Sequence, residues 1–380
     1  MERRERTPRP DWQARVEKLG LTFHTPSAPY WDETAFYAFT AAEVDELDRA
    51  TAELHARCLE AVQHVIDARR WDDLRIPTDA IALVERSWEE EPPSIYGRFD
   101  LAMGPGGTPK LLEYNADTPT ALLEAAVVQW QWLQDVAPGK DQFNSIHERL
   151  IAGWKDLKPY LPSGPLHFAA MDAAEDVLTS SYLQDTAAQA GIETRFLLVK
   201  DIGWDAGAGR FVDLARQPIG ACFKLYPWEW LVREEFAEAL TAAKSGTVWI
   251  EPAWKMVLSN KGILPILWEL FPGHPNLLEA HFQPGRLRSY AQKPLLSREG
   301  ANVSLVRDGV AFARGPDDGY GGHGFIQQAL VEPQNDLQGR FPVLGSWVIQ
   351  GEPAGIGIRE SDGPITGNLS RFVPHLFEPG

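Results

Sequence analysis

The sequence predicts a mixed α/β (α+β) protein, on three observations. Residues 96–115 have the pattern of a β-hairpin, residues 166–200 read strand–helix–strand, and a strand-rich C-terminal third follows a first half with long helical runs. With 380 residues, 44% hydrophobic and 11% aromatic, the chain can bury a large core, and its length suits two or three domain-sized units. Fourteen tryptophans suggest extensive aromatic packing and a lined cleft.

The first segment, MERRERTPRP, reads as a charged tail, and residues 1–25 are expected to be flexible. Thr40 is a suitable N-cap, and apolar residues at helical spacing run on to Arg70, which predicts a long amphipathic helix. His55 and His64 lie on it, nine residues apart, a spacing that does not suit a metal pair. In the hairpin, Tyr96–Met103 and Lys110–Asn115 are strand-like, and the glycines and prolines of 104–109 form the turn. Pairing Met103 with Lys110 sets Asp100 opposite Glu113 and Arg98 opposite Asn115, all on one face because strand side chains alternate. Helices are expected from about Pro119 to Gln134 and from Phe143 to Leu157.

Two carboxylates directly opposite one another destabilise a sheet, so Asp100 and Glu113 call for a cation between them. Magnesium meets that requirement: it takes oxygen ligands, and the Asn115 amide carbonyl adds a third two residues from Glu113. A solvated surface hairpin is the other reading, and a one-residue slip in register would undo the pairing.

LHFAAM, SSYLQDTAAQAG and ETRFLLVK form a β-α-β unit suited to a parallel sheet. Glu175 and Asp176 lie just past its first strand, where α/β sheets place ligand-binding groups; they also suit the first turn of a helix for dipole reasons alone. Tyr290–Val306 reads strand, glycine-containing loop, strand, with Lys293 near the end of the first strand and Gly300 in a loop able to close over phosphates. Ile326–Val331 is an apolar strand running into EPQND, a turn that could present backbone groups to a flat ring. AGIGIRE sets Gly355, Gly357 and Arg359 on one strand face, leaving room for a large group; a bulge or tight strand crossing explains the glycines equally well. GPDDGYGGHG, residues 315–324, reads as a mobile surface loop.

The net charge of −17 argues against nucleic acid or an anionic membrane as partner and is compatible with a cationic substrate such as an amine. Cys58 and Cys222 make neither a disulfide framework nor a CxxC metal site. With no apolar run long enough to span a bilayer and no charged-then-apolar leader, a cytoplasmic location is expected.

Taken together, YGRFD, LLEYNADTPT, EPAW followed by SNKGILPILWELFP, QKP with its glycine loop, QAL and the late IRE resemble the glutathionylspermidine synthetase family over about residues 25–375. The resemblance implies an ATP-grasp architecture of the permuted glutathione synthetase type with a β-α-β pre-ATP-grasp-like unit. It also implies an ATP- and magnesium-dependent ligase that activates a carboxylate as an acyl phosphate for attack by an amine. Carried over position by position, Asp100, Glu113 and Asn115 match magnesium ligands, and Arg98 and Arg359 match the arginines that meet the transferring phosphate. Lys261 and Lys293 match lysines holding ATP phosphates under the Gly300 loop, while Gln328, Ala329 and Leu330 match the adenine pocket. Glu175 and Asp176 fall near acidic positions used for the amine. The partners implied are a small-molecule or peptide carboxylate and an amine such as a polyamine.

The chain departs from the family pattern in three places. It begins just ahead of the synthetase-like region, so no amidase half-reaction is expected. Ala121 stands where the spermidine-using enzymes carry a serine, leaving Thr118 and Thr120 as the nearby hydroxyls and Thr118 as a candidate substrate contact. FKLYPWEWL, residues 223–231, looks more like stand-alone homologues than the spermidine-using enzymes. The expected division is a catalytic region at 26–164 and 216–380 with the β-α-β unit at 165–215 forming one wall of the substrate cleft. A nucleotide-binding protein without catalysis and a magnesium-dependent phosphohydrolase remain the alternatives.

Overall fold

In the computed structural model, which describes residues 1–380 apart from 27–28, 242–245, 332–336, 338, 368–369 and 379–380, the centre is an antiparallel five-stranded sheet. Its spatial order is Arg371–Phe372, Glu352–Ser361, Phe341–Ile349, Tyr96–Met103 and Pro109–Asn115. The hairpin is therefore the sheet's edge, and Gly345 of its inner neighbour lies opposite Asp100. At the turn, Met103 pairs with Pro109, not with Lys110. A bulge then sets Leu112 as an extra residue, after which Asp100 faces Glu113 and Arg98 faces Asn115 as the alternation requires. Proline is tolerated there because the first residue of a strand need not donate to the ladder.

The helix Ala41–Asp67 is capped by Thr40, whose hydroxyl accepts from the Glu43 N–H while the Glu43 carboxylate accepts from the Thr40 N–H. Its apolar stripe, including Leu47, Leu54 and Val62, packs with Phe99, Leu344 and Ile358 on one face of the central sheet. Tyr96 and Trp347 face the other way, towards Ile146 and Trp154 of the helix Ile146–Leu157. By the same alternation Arg98, Asp100 and Gly345 point to that second face, so the candidate site lies opposite the long helix.

The β-α-β unit forms as expected, with Leu166–Ala170 parallel to Thr194–Leu198 and the helix Ala174–Gln189 between them. It is larger than the predicted 165–215, because Ala221–Leu225 and Val248–Ile250 complete a four-stranded parallel sheet. Both added strands are short and lack alternation, as suits a sheet covered on both sides. A second antiparallel five-stranded sheet runs Ala280–His281, Phe325–Ala329, Tyr290–Pro294, Ser304–Arg307, Val310–Arg314. EPQND falls outside the described residues. The 315–324 segment is not free-standing: Asn302 donates to Asp317 and accepts from the Asp318 and Tyr320 N–H groups, tying it to the Gly300 loop.

The N-terminus corrects the expectation of a tail. Glu2–Glu5 pairs antiparallel with Ala35–Thr40, which His375–Glu378 joins in parallel on its other side. Two of the arginines that make this segment look solvated are matched to buried carboxylates: Arg3 donates to Glu360 and Arg9 to Glu33, and Arg9 also reaches Asp135 nearer the surface. No helix among the described residues is long and apolar enough to cross a membrane.

Candidate functional site

The hairpin places its polar residues, and the bulge connects them to the second sheet. Leu111 donates to Asn276 O and accepts from Gln328 Nε2 at 2.9 Å, and Leu112 O accepts from Lys293 Nζ at 2.9 Å. The exposed edge that an outermost strand would present is thereby covered. Gln328 Oε1 accepts the same ammonium at 2.7 Å, so Gln328 reaches the site through Lys293. Ala329 N–H is taken by Glu279 O, while Leu330 and Ile365 pack on the small apolar group of Ala291, Val303 and Leu305.

Each carboxylate of the opposed pair has its own cation. Asp100 accepts from Arg98 Nε at 2.7 Å and Nη2 at 3.2 Å, and Arg98 Nη1 donates to Thr120 O at 2.8 Å. Glu113 lies 2.9 Å from Lys261 Nζ, which also donates to Ser297 O, and accepts from the Asn115 amide at 3.1 Å. Burial opposes ionisation of Glu113, but Lys261 and Lys293 hold its carboxyl down at about 2. Burial likewise lowers the Lys293 ammonium to about 8, partly offset by Glu113. The donors gathered here, two carboxylates and an amide carbonyl, are hard oxygens and fit magnesium. Among the described residues no cluster of three or more His, Cys, Asp or Glu side chains offers an alternative metal centre.

Arg98 and Asp100 line one narrow cleft with Ala121, Gly345, Gly357 and Arg359. Arg359 Nη2 donates to Gly367 O at 2.7 Å, and its buried Nε has no hydrogen-bond partner among the described residues. The glycines of this strand make room for the protein itself. A Cβ on Gly357 would lie 2.8 Å from the Phe372 ring, and one on Gly355 2.7 Å from Phe143 O. The tight-crossing reading therefore holds for both, and room for a large ligand does not explain them.

Gly300, at φ +71°, belongs to a loop seated on the chain, since a Cβ there would lie 2.6 Å from Thr366 O. Arg298 pins the same loop: it donates to the Thr118 hydroxyl at 3.0 Å and Glu229 at 2.7 Å, and its guanidinium lies 5.3 Å from the Trp230 ring centre. FKLYPWEWL thus contributes to the site's wall through Glu229 and Trp230. Glu175 and Asp176 occupy the first turn of their helix. Burial and Glu175 raise Asp176 to about 6 against the pull of Arg298, and the charge of Glu175 is felt by Arg98. Glu175 therefore belongs electrostatically to the region of the cleft, and Asp176 is tied to Glu175 and to Arg298.

Sequence reasoning passed over two groups. Arg298 was hidden in a weak glycine-loop pattern. Glu124 sits in a stretch expected to be ordinary helix, and Glu124–Val128 is instead a π-helical turn preceding Gln129–Val136. An acid inside the apolar run LLEAAVV was the available signal.

In this site Lys293, on the strand Tyr290–Pro294, and Lys261, in the turn before the helix Ile263–Leu270, both act on Glu113 of the carboxylate pair. Residues 3–378 match the family described as glutathionylspermidine synthase preATP-grasp. The chain belongs to this family. A Haemophilus influenzae protein named "Putative acid--amine ligase" is 43% identical over 98% of both chains. Trypanothione synthetase of Crithidia fasciculata is 29% identical over 84% of this chain and 53% of its own length. The bifunctional glutathionylspermidine synthetase/amidase of Escherichia coli is 29% identical over 72% and 48%. The chain thus spans about half the length of those last two relatives. Among solved structures, a glutathione synthetase-like effector from Globodera pallida superposes with a TM-score of 0.58 over 98% of both chains at 11% identity, a likeness of fold. The architecture is that of the glutathione synthetase-like ATP-grasp proteins.

Proposed function

We propose that this protein is an ATP- and magnesium-dependent carboxylate–amine ligase that forms an amide bond through an acyl phosphate. The observation carrying the reading is the convergence of Arg98, Asp100, Glu113, Lys261 and Lys293 where the two antiparallel sheets meet, with Arg359 on the same cleft. The names of the relatives favour a peptide carboxylate and a polyamine as the substrate class.

A carboxylate is a poor electrophile, so phosphorylation by ATP must come first, and that step gains mainly from positioning and charge neutralisation. Lys261 and Lys293 are suited to the phosphates, and the apolar group around Leu330 to the adenine. Arg98 and Arg359 are suited to the phosphoryl group in transfer, each such contact supplying about 3 kcal/mol, on the order of a hundredfold in rate. Asp100, Glu113 and Asn115 would hold magnesium, which when bound neutralises phosphate charge. The Gly300 loop, closed on Thr366, would shield the acyl phosphate from water.

The test is phosphate release from ATP, measured with pooled peptides and pooled amines added singly and together. Ligation predicts a sharp rise only with both. Release indifferent to either points to a phosphohydrolase, and nucleotide binding without release to an inactive binding protein.

A further inference from the structure

We propose that Glu124 takes the proton from the attacking amine, an inference that rests on the ligase reading above. Asp32, Glu33, Asp117, Glu229, Glu251 and Glu360 are buried, and each has an arginine or lysine within 4 Å. Glu124 is 1% exposed and, among the described residues, has no such partner. A carboxylate buried for structural reasons usually comes with a cation in direct contact; among the described residues none is within ion-pair distance of this one.

Its position is just behind the wall of the cleft. Glu124 opens the π-helical turn, an irregularity often found at functional sites. Three residues earlier, Ala121 adopts φ +63° and lines the cleft of Arg98 and Arg359. The next residue, Ala125, would lie 3.2 Å from a Cβ on Gly357, so the turn is seated on the strand that bears Arg359. Three groups face the carboxyl. Tyr30 donates its hydroxyl to Oε1 at 2.7 Å, Glu175 acts from the first turn of its helix, and Arg359 acts from the strand. Burial is the largest influence and Glu175 adds to it, raising Glu124 to about 7 against Tyr30 and Arg359. A base near the working pH can accept a proton from an ammonium and release it to water afterwards.

The amine arrives as an ammonium with its lone pair blocked. Transfer of one proton to Glu124 frees that pair, which forms the C–N bond at the acyl carbon. The C–O bond to phosphorus breaks, and phosphate departs with its electrons and takes the second nitrogen proton.

Hydroxylamine provides the test, because it is largely neutral at pH 7 and needs no base. Wild-type enzyme, ATP, magnesium and pooled peptides are assayed with hydroxylamine and, separately, with a panel of primary alkylamines including spermidine. Glu124→Gln is expected to cut the alkylamine rate about a hundredfold while leaving hydroxamate formation within about threefold of wild type. The acidic limb of the wild-type alkylamine profile, near pH 7, should move to higher pH in Tyr30→Phe, because the lost hydrogen bond favoured the carboxylate. That variant also decides the matter should Glu124→Gln fail to fold. Equal loss with both nucleophiles, an undiminished alkylamine rate, an unmoved limb, or hydroxamate without any alkylamine product in the wild type each overturns the inference. Absence of hydroxamate from every acid overturns the ligase reading, and the inference with it.

Discussion

Gly345→Ala tests whether Arg98 is held in a working position by the backbone beside it. Gly345 lies opposite Asp100, and a Cβ there would sit 2.7 Å from Arg98 Cδ and 3.2 Å from Nε. Carbon atoms pack at about 3.5–4.0 Å, so the arginine must retreat by about 0.8 Å or more. Retreat strains the 2.7 Å bond to Asp100 and the 2.8 Å bond to Thr120 O together. The packing cost is about 1–3 kcal/mol, while a misplacement near 1 Å costs on the order of a hundredfold in rate. Steady-state phosphate release should therefore show kcat reduced roughly tenfold to a hundredfold in a protein that still melts cooperatively. Gly153→Ala is the control, since its Cβ would meet the Ile95 and Gln350 side chains and Gly153 does not line the cleft, and it should act chiefly by lowering the melting temperature. A Gly345→Ala enzyme with normal kcat would refute the claim that Arg98 acts from this position.

Four further outcomes are expected. Glu113→Gln should abolish magnesium-dependent turnover while the protein still folds; an unchanged rate at saturating magnesium contradicts the metal assignment. Lys261→Ala and Lys293→Ala should each weaken ATP binding by calorimetry, and normal affinity in both would remove the lysines from the nucleotide site. Arg359→Ala should lower kcat far more than it raises KM for ATP, with poor rescue by Arg359→Lys, which lacks a planar fork of donors. A stable Arg359→Ala protein with near-normal kcat would show the arginine wrongly assigned. Glu124 is raised in the folded state, so the stability its protonated form contributes is present below about pH 4.5 and is lost as pH rises through about 7. The melting temperature of Glu124→Gln should therefore gain on wild type between pH 5 and pH 8, and a constant difference contradicts the raised value.

The hairpin was legible because turn chemistry and two-residue alternation are local, so Asp100/Glu113 and Arg98/Asn115 could be paired without knowing what lay beyond them. The bulge at Leu112 was not, since it serves contacts with Gln328 and Lys293, more than 170 residues later in the chain. The N-terminal arginines were misread for a related reason: their partners Glu33, Asp135 and Glu360 come from distant segments. The glycines of AGIGIRE were visible, but whether a ligand or the protein occupies their space depends on Phe372 and the Phe143–Asn144 backbone. Glu124 stood in an apolar helical run, and that no described cation lies within ion-pair distance of it emerges only from the folded neighbourhood.

The central claim is that this cleft joins an acid to an amine at the expense of ATP. Mass spectrometry of pooled peptides and primary amines incubated with the protein, ATP and magnesium tests it most directly. The account predicts a new species whose mass is that of one peptide plus one amine less one water, formed only with ATP present and lost in Arg359→Ala. ATP consumed across the whole pool with no such condensation product would contradict it.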